Sequence, residues 1–450
     1  MKGERKVSNE CYYVAVVGAG PAGMFAAREL ARNGARVVIF NRDIKPGGLA
    51  EYGIYFDKYA MKEGLRTQFK QVLDTPGLSY YGNLIVGNQG GDLTLGDLRS
   101  LGFQAILVTV GAQGTKWLGL PGEQFSGVYH AKDVVYHYNL LPPYSQKSFE
   151  FGKRVAVVGA GNVMLDISHY LIQRMKVDEV IAVVRRGPAE VKFDKKEMEY
   201  VIRNLDQRAL DEEIARVTPL MRAIEQDPAT ARATILEALP KALPSDSSTR
   251  FRFEFLASPR QIIGDEKGQA SGLEVEDNNL VIIDDEVKAR GTGNRRVIPI
   301  DSVVFAIGDR VDENFGLPTQ SNEFAKNPAP RFPVDEISYE AYDPAAKCVI
   351  PDVFVAGWSR RASTGLVGYA RKDGTNGAKA VWQYLQTLQP VTPDEAALKA
   401  RLKTLGKPVI SQTDVRKLGE LETEEASKRG LQSFKYGTNE EMLAKIMSVG

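Results

Sequence analysis

A chain of 450 residues, 43% apolar and 26% charged, is long enough for two or three domains that each bury a full core. Its formal net charge of +1 gives no global field for nucleic acid, and its two cysteines, Cys11 and Cys348, exclude both a disulfide framework and a cysteine-ligated cluster. Residues 1–10 are polar and no apolar run approaches the ~20 residues of a membrane span, so a reduced, soluble, cytoplasmic protein without a metal site is expected.

The first element is an apolar run, 12–17, that ends in glycines. Residues 21–33 then follow helical spacing, and 36–40 form a second β-rich run. Between strand and helix stands Gly18-Ala19-Gly20-Pro21-Ala22-Gly23. Strand, glycine turn, helix and strand in this order make the dinucleotide fingerprint. Gly18 permits the tight turn, Gly20 lets a pyrophosphate approach the backbone, and Gly23 lets helix pack closely on strand. Pro21 and Ala22 open the helix, whose free amides and positive dipole end face the phosphates. The second strand ends at Asn41, followed by Arg42, where such sites usually place an acid for the adenosine ribose. An amide still exchanges hydrogen bonds with hydroxyls, without charge assistance. Residues 105–110 read as a buried strand closing this unit, with Gly111 and Gly114 at its exit.

The same pattern recurs at 154–158, 162–174 and 179–184. The second loop is Gly159-Ala160-Gly161-Asn162-Val163-Met164, with Met164 in place of the third small residue. The strand after it ends in Arg185-Arg186-Gly187-Pro188, so two guanidiniums stand where an NAD site has an acid. Guanidinium forks match a 2′-phosphate, which favours NADPH over NADH. Residues 206–243 are expected to be helical and broken by Pro219 and Pro228. Phe251, Phe253 and Phe255 alternate with charge and predict a one-faced strand. Residues 273–300 predict hairpins with turns at 277–279 and 291–294. Short buried strands follow at 302–307 and 353–356, and the polar segment after Gln389 keeps enough apolar residues for a packed extension. The fold class is α/β, with two Rossmann-like three-layer dinucleotide-binding domains.

These motifs resemble the adrenodoxin reductase type of ferredoxin–NADP reductase, flavoproteins with a glutathione-reductase-like fold. Beyond the two glycine loops, the resemblance rests on Gly48-Leu49 with Tyr52-Gly53-Ile54, and on Leu120-Pro121-Gly122-Glu123. It also rests on Gly357-Trp358 with Arg361, Thr364-Gly365 and Leu366, and on Leu405-Gly406-Lys407-Pro408 in the tail. It implies an FAD domain made of residues 1–111 and 331–450, with an NADPH domain inserted at 112–330. FAD would take hydride from NADPH and pass electrons singly to a ferredoxin-type iron–sulfur protein. Gly48, Leu49, Gly53 and Gly111 would then face the flavin, together with Gly357, Trp358 and the start of the helix after Thr364-Gly365. Glu197 resembles a residue near the nicotinamide, where a carboxylate orients the carboxamide or relays a proton; an ordinary solvated helix residue is the other reading.

No Cys-x-x-Cys pair exists, so a thiol relay is impossible. Two alternatives stand beside the reductase: a flavin subunit of a larger ferredoxin-coupled or glutamate-synthase-like complex, and a non-catalytic FAD-binding scaffold. The chain departs from the family at Ala50-Glu51, where an arginine is usual, and at Phe56-Asp57-Lys58, which replaces a histidine motif. Basic docking residues in 206–241 are mixed with acids here, and Arg360, Arg361, Arg371 and Lys372 are an alternative basic rim.

Overall fold

The computed structural model describes residues 10–448; the polar residues 1–9 of the sequence reading lie outside them. The described chain divides into two compact units. One holds residues 10–115, 136–146 and 308–448, the other residues 116–135 and 147–307.

The first unit is built on the parallel strands β1 (Tyr13–Val17), β2 (Arg36–Phe40), β3 (Leu78–Gly82) and β4 (Ala105–Val108). Of these, β1 and β4 are buried on both faces, β2 nearly so, and β3 alternates buried and half-buried residues. The sheet order runs from strand Glu340–Asp343 through Cys348–Val355, β4, β1, β2 and β3 to Ile410–Ser411. The five inner strands are parallel and both edges antiparallel. One core fills the face under α1 (Pro21–Arg32) and the helix Val367–Leu385, called here the closing helix. A second core fills the opposite face, which makes three layers. Because β1 lies between β4 and β2, the chain switches direction at the end of β1, where open α/β sheets leave a crevice for ligands.

The second unit carries a five-stranded parallel sheet in the order Val128–His130, Ser302–Phe305, Arg154–Val158, Glu179–Val183 and Arg250–Glu254. Three antiparallel strands, Ala257–Gly264, Ala270–Ile283 and Glu286–Pro299, complete it.

Several elements differ from expectation. Residues 206–241 hold a helix, Gln207–Arg222, that contains Pro219 rather than stopping there. Proline removes one backbone bond near the last turn, and the buried stripe Leu210, Ile214, Val217 and Met221 keeps the helix together. Pro228 instead starts the next helix at its first position. Residues 270–299 form one long hairpin, turning at Asp284 and Asp285, both at positive φ. The stretches 277–279 and 291–294 face each other inside the ladder at an irregularity between Glu276 and Asn278. Glycines there serve a bulge and not a turn. The helix from Asn162 ends at Tyr170 and continues as a single π turn, Leu171–Met175. The inserted unit also returns to the first unit at 308, ahead of the 330 bound read from sequence, because Asp309–Arg310 pairs with Gly114–Thr115 and Phe315 and Phe324 join the second core. The polar tail is packed: Leu418, Tyr436, Met442 and Ile446 bury against Ile44 and Ile410. Among the described residues no helix is long and apolar enough to cross a membrane.

The contact between α1 and the closing helix depends on Gly374. A Cβ there would lie 2.6 Å from the Ala22 Cα and overlap its carbonyl. Gly374→Ala is expected to destabilise the protein by about 2 kcal/mol, the cost of overpacking a tight contact. Urea denaturation of the variant beside wild type measures this, and an unchanged midpoint would show that the helices separate freely.

Candidate functional site

In the first unit the glycine loop closes β1 under backbone control. Gly18 has φ +105° and donates its N–H to Phe40 O at 2.7 Å. A Cβ on Gly18 would stand 2.6 Å from Thr109 O, and one on Gly23 would overlap Gly18 O and meet Thr109 Oγ1 at 2.5 Å. Both positions are therefore closed to a side chain, Gly18 by the Thr109 backbone just past β4 and Gly23 by the Gly18 carbonyl and the Thr109 hydroxyl. Gly20 differs, because a Cβ there meets nothing within 4 Å. Gly20 is also the N-cap of α1, Pro21 is its first residue, and no side chain caps the helix. Thr94, Asp206, Asp227, Asp394, Ser411 and Thr438 each cap a helix with a side-chain oxygen, whereas the helices after Gly48, Lys58 and Asp194 also start without one. The α1 N-terminus thus presents amides to open space, the arrangement that binds anions.

Asn41 is buried at the end of β2. Its amide oxygen accepts the Ala19 N–H at 3.0 Å, and its nitrogen donates to Asp43 O and Lys45 O at 2.9 and 3.1 Å. The side chain is turned inward and shapes the loop. Arg42 beside it donates to Asp43 at 2.9 Å and to Gln113 at 3.0 Å. Gly47 N donates to Ala19 O at 2.7 Å, and a Cβ on Gly48 would lie 3.1 Å from the Gly20 Cα. Leu49 follows on the short helix Leu49–Tyr52, which Gly53 ends by donating to Leu49 O at 2.8 Å.

The closing motif comes to the same place. Gly357 has φ +66°, and a Cβ on it would meet the Ala22 Cβ at 2.6 Å. Gly111 N donates to Ser359 Oγ at 2.9 Å, and Trp358 Nε1 donates to Thr364 O at 2.9 Å. Thr364, Gly365 and Leu366 then lead into the closing helix, again without a side-chain cap. Asp373 organises this turn. Its carboxylate accepts Gly357 N at 2.6 Å, Tyr339 OH at 3.1 Å and Arg360 Nη2 at 2.5 Å. Arg360 is buried in that ion pair, so it belongs to the interior and not to the basic rim expected from sequence. Asp373 was missed in the sequence because it stands in the charged run Arg371-Lys372-Asp373. The signal was present in the small residues Gly377 and Ala380, which share its helix face.

In the second unit Gly161 repeats Gly20: it is the N-cap of its helix, no side chain caps it, and a Cβ meets nothing within 4 Å. A Cβ on Gly159 would stand 2.5 Å from Ala306 O. Val163 is exposed in the first turn. Asn162 holds Asp194 by two bonds of 2.7 Å, and Lys192 N donates to Ala160 O at 2.8 Å. These bonds bring the helix Lys195–Met198, with half-buried Glu197, back to the loop. Arg185 and Arg186 end the strand Glu179–Val183, and Asn278 Nδ2 braces the Arg185 carbonyl at 2.8 Å. Among the described residues no carboxylate forms a salt bridge with either guanidinium, so both forks are available to a phosphate.

Glu51, the departure noted in the sequence, is buried and surrounded by cations. Arg66 donates to it twice, at 2.7 and 2.8 Å, Lys435 lies at 3.0 Å and Lys45 at 3.8 Å. Lys45 also pairs with Glu422 of the C-terminal extension. Burial alone would raise the Glu51 carboxyl, but Lys435, Lys45 and Arg66 outweigh it and hold the group well below the ordinary carboxylate range. Burial, with Lys435 nearby, pushes the Lys62 ammonium down to about 7. Cys11 and Cys348 are both free. Among the described residues no group of three His, Cys, Asp or Glu is placed to hold a metal.

Two sheets, each with an uncapped glycine turn at its switch point, define a protein with two dinucleotide sites. The sequence model of the pyridine nucleotide-disulphide oxidoreductases matches residues 12–357, and the chain belongs to that family. It is 28% identical over 393 residues to the NADPH-ferredoxin reductase FprA of Mycobacterium leprae, covering 80% of this chain and 81% of that one. It is 29% identical over 397 residues to the mitochondrial NADPH:adrenodoxin oxidoreductase of Arabidopsis thaliana, covering 80% and 79%. The human NADPH:adrenodoxin oxidoreductase is 26% identical over 475 residues, covering 96% and 91%. Mycobacterium tuberculosis FprA, solved in complex with NADPH, shares the fold with a TM-score of 0.79 at 24% identity, covering 97% of this chain and all of that one.

The folded-state depression of the Glu51 carboxyl fixes a sign. Its contribution is complete above the unfolded-state value of ~4.3 and is lost as pH falls toward the folded value. Glu51→Gln should lower stability at neutral pH by about 3 kcal/mol, the usual loss when a buried cation set loses its counter-charge. The variant should also show a shallower decline than wild type below about pH 5. Unfolding free energies measured across pH test this; parallel curves would mean that Glu51 does not supply the acid dependence.

Proposed function

We propose that the chain is an FAD-dependent, NADPH-linked oxidoreductase that delivers electrons to a ferredoxin-type iron–sulfur protein. The observation that supports it most is the pair of uncapped helix N-termini, at Gly20 and Gly161, each opening onto space that a Cβ would fill. The residues fit the two cofactors. The loop Gly18 to Gly23 would hold the FAD pyrophosphate, with Pro21 and Ala22 supplying the first turn and Asn41 fixing the loop from below. Gly48, Leu49, Gly53, Gly111, Gly357 and Trp358 would line the flavin. Gly159, Gly161, Asn162 and Val163 would hold the NADPH pyrophosphate, and Arg185 and Arg186 its 2′-phosphate. Glu197, on the segment that Asn162 pins through Asp194, would orient the nicotinamide carboxamide.

Bound FAD supplies the exchange between a two-electron donor and one-electron acceptors. The protein's part is positioning and electrostatics. The closing helix starts uncapped after Leu366, and its positive end would favour negative charge on a reduced flavin. Asp373 holds the Gly357 turn against Ala22, which fixes that motif to the first glycine loop. Neither cysteine takes part: Cys11 is half-buried, Cys348 exposed, and both are free. The relatives named as ferredoxin and adrenodoxin reductases support an iron–sulfur acceptor. Two unpaired thiols suit a reducing cytoplasm.

Coenzyme choice tests this reading. Charge-assisted bonds from Arg185 and Arg186 to a 2′-phosphate should make NADPH the preferred donor. Replacing both with alanine should lower kcat/KM for NADPH about 100-fold and leave NADH nearly unchanged, since NADH has no phosphate there to lose. Steady-state kinetics of wild type, both single variants and the double variant resolve each contribution. Equal use of NADH and NADPH by wild type would refute the coenzyme assignment.

A further inference from the structure

We infer that the face formed by α1 and the closing helix is the docking surface for a small acidic iron–sulfur protein. This rests on the reading above that such a protein is the electron acceptor. The surface begins with Phe25, a buried ring that two guanidiniums share: Arg28 lies 4.8 Å and Arg371 4.4 Å from its centroid. Arg32, Lys372 and Lys379 are exposed around them. None of these five cations forms a salt bridge among the described residues. Glu29 and Asp335 are the acids beside them, and they leave the face positive. Partial burial, with repulsion from Arg32 and Arg371, lowers the Arg28 pKa from its ordinary value. Like charges crowded on one ring and in no salt bridge are a standing cost to the free protein, and an incoming anion relieves it.

The helical region Gln207–Leu236 shows the opposite pattern. Arg208 pairs with Glu212 at 3.0 Å, Arg216 with Glu213 at 2.7 Å and Arg232 with Asp211 at 2.6 Å. Those arginines are already neutralised by their neighbours, so they offer little field to a partner. The cations of α1 and the closing helix do offer one. Leu366 and Tyr369, 67% and 37% exposed, stand at the start of the same closing helix that carries Arg371, Lys372 and Lys379. Exposed apolar residues adjoining unpaired charge are the composition of a protein-docking site. A nucleic acid backbone would use the rim but leave Leu366 and Tyr369 uncovered. The surface adjoins the Thr364-Gly365 turn, so a partner seated on it would lie beside the motif assigned to the flavin.

The test uses the holoprotein and a two-iron ferredoxin of net negative charge, with ferredoxin-dependent cytochrome c reduction and direct ferricyanide reduction measured side by side. In Arg28→Glu/Arg371→Glu/Lys372→Glu the KM for ferredoxin should rise roughly 10-fold or more, and its salt dependence should flatten. NADPH-driven ferricyanide reduction should stay at the wild-type rate. The milder Arg28→Gln/Arg371→Gln/Lys372→Gln, which keeps the stems over Phe25, should give an intermediate rise. Arg208→Glu/Arg232→Glu should change neither activity. An unchanged KM in both triple variants, or an equal rise in the Arg208 and Arg232 variant, overturns the assignment. Weaker retention on heparin with an unchanged ferredoxin KM also overturns it, and gives the face to a polyanion. A wild-type protein that reduces ferricyanide but no ferredoxin refutes the acceptor reading itself, and the docking surface falls with it.

Discussion

A helix that begins without a side-chain cap leaves its first amides to solvent or to a ligand. In this protein the helices after Gly20, Gly161 and Leu366 begin so in glycine-containing turns, and those after Gly48, Lys58 and Asp194 also start without a cap; Gly20 and Gly161 are set apart by the open space beside them. The surrounding residues maintain it. Thr109 closes the positions of Gly18 and Gly23, Asn41 fixes Ala19 from beneath, and Gly48 draws its loop toward Gly20. Each contact removes freedom from the loop backbone while leaving the space over Gly20 open. The loop is therefore open above Gly20, and the positive end of α1 would favour a negatively charged group there.

Buried ions hold the more distant parts of the first unit to this frame. The Arg360–Asp373 pair ties the Gly357 turn to the closing helix, and Glu51 ties the short helix Leu49–Tyr52 to Lys435 of the C-terminal extension. Such pairs add little net stability compared with apolar residues of the same volume, because both ions lose their hydration. Their value lies in specificity: a carboxylate that must meet particular donors allows one geometry, and these two fix segments that flank the glycine loop. The arginine that the family places near residue 51 is absent here. Arg66 approaches Glu51 from the neighbouring helix, so the carboxylate at this position is paired within the fold.

The fold was legible because its strands are continuous apolar runs and its turns carry glycines at fixed spacing. Both βαβ units follow from 12–40 and 154–184 alone. The long hairpin was misread for a local reason: Gly291 and Gly293 gave a turn signal inside a bulge, while the real turn uses Asp284 and Asp285 without glycine. Pro219 does not break its helix because one missing backbone bond is a small loss beside a four-residue buried stripe. In the site, the glycines and the unpaired arginines were legible as motifs. Asp373 and the cluster around Glu51 were not, since their partners lie far away in sequence. Lys435 reaches the Glu51 carbonyl across 384 residues, and no local pattern encodes that contact.

A two-loop fold whose two cysteines are both free relies on flavin chemistry driven by a pyridine nucleotide. The visible spectrum of the purified protein, before and after anaerobic addition of NADPH, tests it most directly when wild type is measured beside Gly20→Val. Wild type should carry non-covalent FAD that NADPH bleaches. Gly20→Val should keep the fold, since its side chain enters open space, yet be depleted of flavin because that space is where the pyrophosphate would lie. A colourless wild type that cannot be reconstituted with FAD, or a Gly20→Val protein with full flavin content, would contradict flavin binding at this loop.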